Sequence, residues 1–242
     1  YLFFSHDEVK KTIENDSIDF EIRIYEGRQA TINRVIVKGN TKTNDHVILR
    51  EIRTRPGQLF SRSDIIRTQR ELAQLGYFDA EQLAVNPIPN QESGTVDIEY
   101  TVAEKPSDQI ELSAGWGGNR VVGTLGLTFN NFSTRNVFKK GTWTPLPSGD
   151  GQRLSLRAQT TGTWFQSYNM SFTEPWLGGK KPNSLTFSVY HSFFSENGQS
   201  KWLKDANNKF VRDDDGNKIK NVTRAAFKSY GSSVGIGTRL KW

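Results

Sequence analysis

From Tyr168 to Phe194 the side chains alternate between apolar and small polar along two arms, "YNMSFTEPWLGGKKPNSLTFSVYHSFF", with a Pro-Trp turn between them. A period of two is the mark of an extended strand with two unlike faces. One row of the first arm is Tyr168, Met170 and Phe172. One row of the second is Leu185, Phe187, Val189, His191 and Phe193, and the opposite rows are mostly Ser, Thr and Asn. Such strands belong either to a sandwich with one face in a core or to a wall between lipid and water.

The same texture holds throughout the chain beyond Pro106, where the pattern predicts six strands: Asp108–Gly117, Val121–Phe132, Gln152–Thr161, Phe165–Glu174, Ser184–Ser195 and Tyr230–Trp242. Most are close to the about 9–11 residues a tilted membrane strand needs. A long polar insertion, residues 196–228, separates the last two; loops of that length are usually functional or mobile. The apolar rows (Ile110, Leu112, Ala114, Trp116; Val121, Gly123, Leu125, Leu127, Phe129; Leu154, Leu156, Ala158; Val234, Ile236, Leu240) hold no charge away from a strand end. A sandwich core and a lipid face both require that purge, since a Lys or Arg at mid-bilayer costs about 2–4 kcal/mol. The opposite rows separate the two architectures. They carry Ser113, Thr124, Thr128, Ser155, Gln159, Ser167, Ser171, Ser184, Thr186 and Ser188 rather than the Lys and Glu common on soluble sandwiches, and small neutral groups suit a wet lumen. Aromatics, among them Trp116, Trp164, Trp176 and Trp242, gather at strand ends, where a membrane interface holds amphipathic rings. The reading favours the membrane wall. Six strands do not close a barrel of this type, so the expectation is a chain that is a fragment at both ends.

Upstream, two strands are predicted before Gly27, "YLFFS" and "SIDFEIRIYEG", the second with an apolar row of Ile18, Phe20, Ile22 and Ile24. Two strands alone are marginal in water, which predicts the tail of a preceding domain. A new unit follows. "ATINRVIVKGN" alternates and ends at the Gly39-Asn40 turn pair. "TNDHVILREIRT" predicts a short helix capped by Thr43 or Asn44, with Val47, Ile48 and Ile52 inward. "SRSDIIRTQRELAQLG" predicts a second helix, opened by Ser61 with Asp64 three positions on and closed by Gly76. Two strands, "YFDAEQLAVNPI" and "TVDIEYTVAEK", complete a β-α-α-β-β order.

The bulk properties bound the classes. Of 242 residues, 32 are basic and 26 acidic, giving a net charge of +6 spread along the chain, and none is Cys. No run of Lys and Arg forms a nucleic-acid tether, no leader or apolar signal core is visible, and no stretch of 18 apolar residues makes a membrane helix.

On "VKGNTKT", "DHVILREI" and "QRELAQLGYFD" the chain resembles the POTRA (polypeptide-transport-associated) domain. With "LSAGWGGN" through "FTEPWL" as the start of a barrel, it resembles the BamA family of outer-membrane barrel assembly factors. The resemblance spans nearly the whole chain and loosens after Asn136, where "VFKKGTWTPLPSGDG" and the long insertion depart from the family pattern. It implies an α+β POTRA domain followed by the first antiparallel strands of a transmembrane β-barrel. The implied division is residues 1–26 as the last strands of a preceding POTRA domain, 27–105 as the last POTRA domain and 106–242 as about six barrel strands.

The resemblance further implies a non-enzymatic insertase in the outer membrane of a Gram-negative-type bacterium, with its POTRA part in the periplasm. Its implied partners are unfolded outer-membrane barrel proteins, accessory lipoproteins, periplasmic chaperones and outer-membrane lipid, without nucleic acid or cofactor. Client strands would add to a POTRA sheet edge, at Ile32, Arg34, Val35, Ile36 and Val37 or at Leu83 and Val85 in the strand Ala80–Ile88; the sequence leaves both edges open. The lateral seam would lie along the first barrel strand, at Ile110, Glu111, Leu112, Ser113, Ala114, Gly115 and Trp116, with Gly115 and Gly117 fitting a weakly specified edge. Arg153, Arg157 and Arg239 fall on lumen rows.

Chemistry-bearing patterns fail on context. "GSSVG" at Gly231–Gly235 matches a nucleophile elbow, but it begins a strand and no His follows His191. "DDDGN" at Asp213–Asn217 lacks the spacing and final Glu of a calcium loop and reads as the turn of a hairpin. His6, His46 and His191 are scattered. Two other classes stay open: a secretion pore of the same superfamily, and a soluble β-rich binding module.

Overall fold

The computed structural model describes every residue except 1, 4, 15–16, 118–119, 144–145, 198, 223–224 and 239–242. It divides at Pro106 into two units, residues 1–106 and 107–242.

The first unit opens with four short strands, β1 (Ser5–His6), β2 (Lys10–Glu14), β3 (Ser17–Glu21) and β4 (Ile24–Tyr25). They form two small antiparallel ladders, β1 with β4 and β2 with β3. Here the structure corrects the sequence reading. Among the described residues pairing starts at Ser5, and Leu2 and Phe3 instead pack on the core of the following β-α-α-β-β unit, while Tyr1 and Phe4 fall outside the described residues. The strand β2 escaped notice because "KKTIE" has a single apolar residue; it is extended by its partner, with Ile13 opposite Ile18. Ile18, Phe20, Ile22 and Ile24 are all exposed.

The β-α-α-β-β unit consists of β5 (Thr31–Lys38), α1 (Asp45–Leu49), α2 (Arg62–Gln74), β6 (Ala84–Asn90) and β7 (Thr95–Thr101). Its sheet has the order β5-β7-β6, β5 parallel and β6 antiparallel to the central strand. Alternation on β7 sends Val96, Ile98 and Tyr100 into the core beneath the helices, where Val47, Ile48, Ile52, Ile65, Leu72 and Phe78 meet them. The Ser61 side chain accepts a bond from the Asp64 N–H at 3.3 Å and so caps α2; Gly76 closes it at φ +78°. α1 is shorter than its apolar pattern, five residues, and Asn44 occupies its N-cap without a side-chain bond. Gly39 is required where it stands: its φ is +92° and a Cβ there would run into the Val102 carbonyl. The second correction concerns β6. Residues 80–83 turn rather than extend, held by Asp79 accepting from the Glu81 N–H at 3.1 Å. The strand therefore covers Ala84–Asn90, two prolines included, and Leu83 lies just outside it.

In the second unit six strands follow one another as an antiparallel meander: β8 (Gln109–Gly117), β9 (Arg120–Phe132), β10 (Gln152–Thr160), β11 (Phe165–Glu174), β12 (Asn183–Ser195) and β13 (Ala226–Thr238). β13 begins four residues earlier than its alternation implied, because Ala226–Ser229 pair with Ser192–Ser195. The register stacks like with like. One face carries the transverse row Ile110, Leu127, Leu156, Met170, Val189 and, above it, Leu112, Leu125, Ala158, Tyr168, His191, Tyr230. The other carries Thr128, Ser155, Ser171, Ser188 and Ser233 in one row, with Thr128–Ser155 and Ser188–Ser171 hydroxyl bonds at 3.2 and 3.0 Å. The polar insertion contains the expected tight turn, with the Gly216 N–H donating to Asp213 O at 3.0 Å and Gly216 at φ +83°.

Candidate functional site: open sheet edges

Both three-stranded-sheet edges named by the sequence are edges in the structure, β5 on one side and β6 on the other. They differ in what their backbones offer. Proline has no N–H, so an unbroken β6–β7 ladder over Ala84–Asn90 puts Pro87 and Pro89 on the outward positions, together with Val85. Two of three outward residues on β6 therefore accept but do not donate.

On β5, Lys38 O accepts from the Val102 N–H at 2.9 Å, so Lys38 faces β7, and by alternation so do Ile36 and Arg34. Val35 and Val37 turn their N–H and C=O groups outward, and no partner meets those groups among the described residues. Ile32, by contrast, is already taken: its N–H donates to Gln58 O and its C=O accepts from Gly57 N–H, both at 2.8 Å, and its side chain is buried. The solvent face beside this edge is charged and braced. Arg34 donates to Asp97 at 2.6 Å and Asn33 to the same carboxylate at 2.7 Å, while Lys38 lies 2.7 Å from Glu99. Hydrogen bonds from Asn33 and then Arg34 hold the Asp97 carboxyl below its usual range. Charged side chains on an edge are a common guard against indiscriminate pairing; here they leave the two valine positions between them open.

The second open edge is β8, paired with β9 alone. All seven residues from Ile110 to Trp116 lie in it, every one exposed, with Leu112 82% accessible. Ile110, Leu112, Ala114 and Trp116 share the apolar face; Glu111, Ser113 and Gly115 share the polar one. Glu111 and Arg157 meet there at 3.4 Å, both more than half exposed, across Gly126, whose missing side chain leaves the space. Such a pair adds little stability but fixes charge on the hydroxyl face. Arg153 lies on that face as well. Arg239 and Trp242 fall outside the described residues. Trp116 is the last residue but one of β8, Trp176 sits in the β11–β12 turn, and Trp164 lies 3.6 Å under the Arg120 guanidinium at the opposite rim from Trp176.

Two contacts were not legible in the sequence. Glu104, just past β7, accepts from the backbone N–H groups of Thr41, Lys42 and Thr43 at 2.6–3.1 Å and from the Thr41 hydroxyl at 2.7 Å. Burial pushes its carboxyl upward, but the bonds from Thr41, Thr43 and Lys42 outweigh that and hold it below its ordinary value. Tyr190 lays its ring over Gly231, where any Cβ would collide with it; an aromatic covering a glycine in this way pins strand register.

Residues 30–105 match the POTRA family model, described as surface antigen variable number repeat. A POTRA unit continuing into a meander with one apolar and one hydroxyl face defines a POTRA-bearing outer-membrane β-barrel protein. Over 195 residues, 79% of the chain and 22% of the relative, it is 30% identical to outer membrane protein assembly factor BamA of Neisseria meningitidis serogroup B. It is 28% identical over 191 residues, 78% of the chain and 21% of the relative, to a putative outer membrane protein assembly factor of Treponema pallidum. The crystal structure of Haemophilus ducreyi BamA lacking POTRA domains 1–3 superposes with a TM-score of 0.65 over 98% of the chain and 49% of that structure, a likeness of fold at 15% identity. The chain belongs to the BamA family, and spans about a fifth of the length of these curated relatives. Its sheet accordingly lies in the outer membrane and its POTRA unit on the periplasmic side.

Proposed function

We propose that this chain forms the working part of an outer-membrane assembly factor: it receives unfolded barrel proteins on the POTRA sheet and templates their strands on the edge of β8. One observation carries the reading. A nine-residue strand with a continuous apolar face stands at the border of the sheet with its outer backbone unpaired among the described residues. A paired strand would be worth several hydrogen bonds in a medium that offers no water as a substitute. A client strand entering there gains those bonds while its own apolar row meets hydrocarbon. No reaction chemistry is needed, because the driving force is burial of backbone polar groups and apolar side chains.

Within the POTRA unit the receiving edge is β5, at Val35 and Val37, rather than the proline-blunted β6. Residues 1–26 are the closing strands of a further POTRA unit, whose core would cover the exposed row Ile18, Phe20, Ile22 and Ile24. Accessory lipoproteins and periplasmic chaperones are the further partners this reading implies.

The test is disulfide trapping during assembly. The chain has no cysteine of its own, so Leu112→Cys on β8 is a unique thiol within it. A client carrying a cysteine in its terminal strand is expected to crosslink there while assembly is under way. Absence of the adduct, with the same client cysteine trapped by a chaperone control, would overturn the role of β8.

A further inference from the structure

We propose that the periplasmic rim of the sheet carries a headgroup site for anionic phospholipid, built from the Val137–Trp143 loop and the Trp176–Lys181 turn. The inference rests on the membrane reading of the sheet and goes beyond it, since it concerns which lipid the rim selects. The chain enters β8 from the POTRA unit, so the start of β8, the end of β9, the start of β10, the end of β11 and the start of β12 share the periplasmic rim. The β9–β10 and β11–β12 connections both lie there.

Both connections have the same chemistry. "VFKKGTW" places Lys139 and Lys140 beside Phe138 and Trp143; "PWLGGKK" places Lys180 and Lys181 beside Trp176 and Leu177. Neither segment contains a carboxylate, all four lysines are exposed, and no ion pair engages them among the described residues. Phe138 is 94% accessible and Trp143 53%, an exposure that an isolated loop in water has no reason to maintain. Aromatic rings flanked by lysines are the side chains that seat at a headgroup layer, and the cations discriminate in favour of a negative one.

The longer connection is held in shape, so these groups are presented rather than trailing. Ser133 donates to the buried Asp150 at 2.7 Å, the Ser133 N–H donates to Pro147 O at 2.9 Å, and the Trp143 indole donates to Val137 O at 3.0 Å. The Gln152 amide joins the two connections: it donates to the Thr134 hydroxyl at 3.0 Å and to Glu174 at 2.8 Å, and Glu174 in turn accepts from the Trp176 N–H at 3.0 Å. Gln152 and Glu174 share strand parity with Leu154 and Phe172, and Phe132 packs edge-on against Phe172 at 6.4 Å. The network therefore lies on the apolar face, in its last row, level with Phe132, Leu185 and Ile236. That is where the face leaves hydrocarbon and meets phosphate. The site is continuous with the lipid-facing surface already described.

The test uses the full-length protein in nanodiscs, with an environment-sensitive fluorophore on Phe138→Cys and bromine-labelled lipids as quenchers. In phosphatidylglycerol-containing bilayers the emission is expected to shift to the blue and to be quenched. In wholly zwitterionic bilayers, and in phosphatidylglycerol with Lys139→Glu, Lys140→Glu, Lys180→Glu and Lys181→Glu combined, both effects are expected to be lost. Raising ionic strength should weaken the contact, because screening shortens to about 10 Å at 0.1 M salt. A water-like spectrum in every bilayer overturns the proposal, and so does the same shift in both lipid compositions. A second label at Leu125 separates failures. Leu125 in lipid with Phe138 in water rejects the headgroup site alone, whereas water at both rejects the membrane wall and the headgroup site with it.

Discussion

A single carboxylate, Glu104, ties the two ends of the POTRA fold together, and the tie is pH-dependent in a definite direction. From three positions beyond β7 it gathers three consecutive N–H groups of the turn that follows β5. Hydrogen bonds to a charged group contribute about 1.5–3 kcal/mol each when well shielded; partial contact with water reduces the gain, and Glu104→Gln is expected to destabilise the unit by about 1–2 kcal/mol. The folded-state carboxyl is held below its unfolded value. Its contribution is therefore fully present above the unfolded pKa of about 4.3 and is lost as pH falls through the lower folded value. Protection of the Thr41–Thr43 and Val102 amides, taken relative to the intrinsic exchange rate at each pH, should fall in acid in the wild type. In the Gln variant that protection should already be low at neutral pH and lack the acid step. A wild-type profile without the acid step would remove Glu104 from this role. No spacing rule connects Glu104 to Thr41, whereas Gly39 and Gly76 announced themselves, because a turn at positive φ leaves few alternatives to glycine.

At the scale of elements, what the sequence conveyed was whatever a local period can encode. The central strand β7 and all six strands of the second unit were visible from alternation, since each buries or exposes one whole row, and both helices from their caps and inward-facing apolar positions. Three features were not. β2 exists because β3 pairs with it. β6 starts four residues later than the Ala80–Ile88 reading, and Phe78 and Leu83 reach the core from outside any strand, Phe78 through an isolated bridge to Glu104. The availability of an edge depends on which way alternate backbone groups point, and that is settled only by pairing. The candidate residues on β5 accordingly separate into three kinds: Ile32 with its backbone already engaged, Arg34 and Ile36 facing β7, and Val35 and Val37 facing outward. A client peptide is therefore expected to slow amide exchange at Val35 and Val37 and to leave Val85 on β6 unchanged. Protection at Val85 instead, with none on β5, would reverse the assignment of the receiving edge.

For the whole molecule, the decisive property is that one surface of the six-stranded sheet is oily over the depth of a bilayer while the other is wet. The apolar row of β12 from Leu185 to Phe193 covers eight residue steps, about 27 Å along the strand at 3.4 Å per residue. Tilted by about 40°, it spans about 20 Å of membrane depth, close to the apolar band of about 25 Å on outer-membrane barrels. Its neighbours in register keep the band continuous through Met170, Leu156, Leu127 and Ile110. A soluble sandwich needs a second sheet over this face. Within residues 107–242 the described strands form one sheet only, and Ile110, Leu112, Val234 and Ile236 remain exposed. Adjacent residues on one strand then discriminate between lipid and water without further assumptions. Asn169 and Met170 are consecutive on β11, both exposed, and point to opposite faces. Spin labels at Met170→Cys and Asn169→Cys in a reconstituted bilayer are expected to collide preferentially with oxygen and with a water-soluble nickel chelate, respectively. The same contrast should recur at Leu156 and Ser155 on β10, where the register places the first beside Met170 and the second beside Ser171. Equal nickel access at both members of each pair would remove hydrocarbon from the apolar face, and the β8 edge would lose the low-dielectric setting that makes its unpaired backbone a driving force.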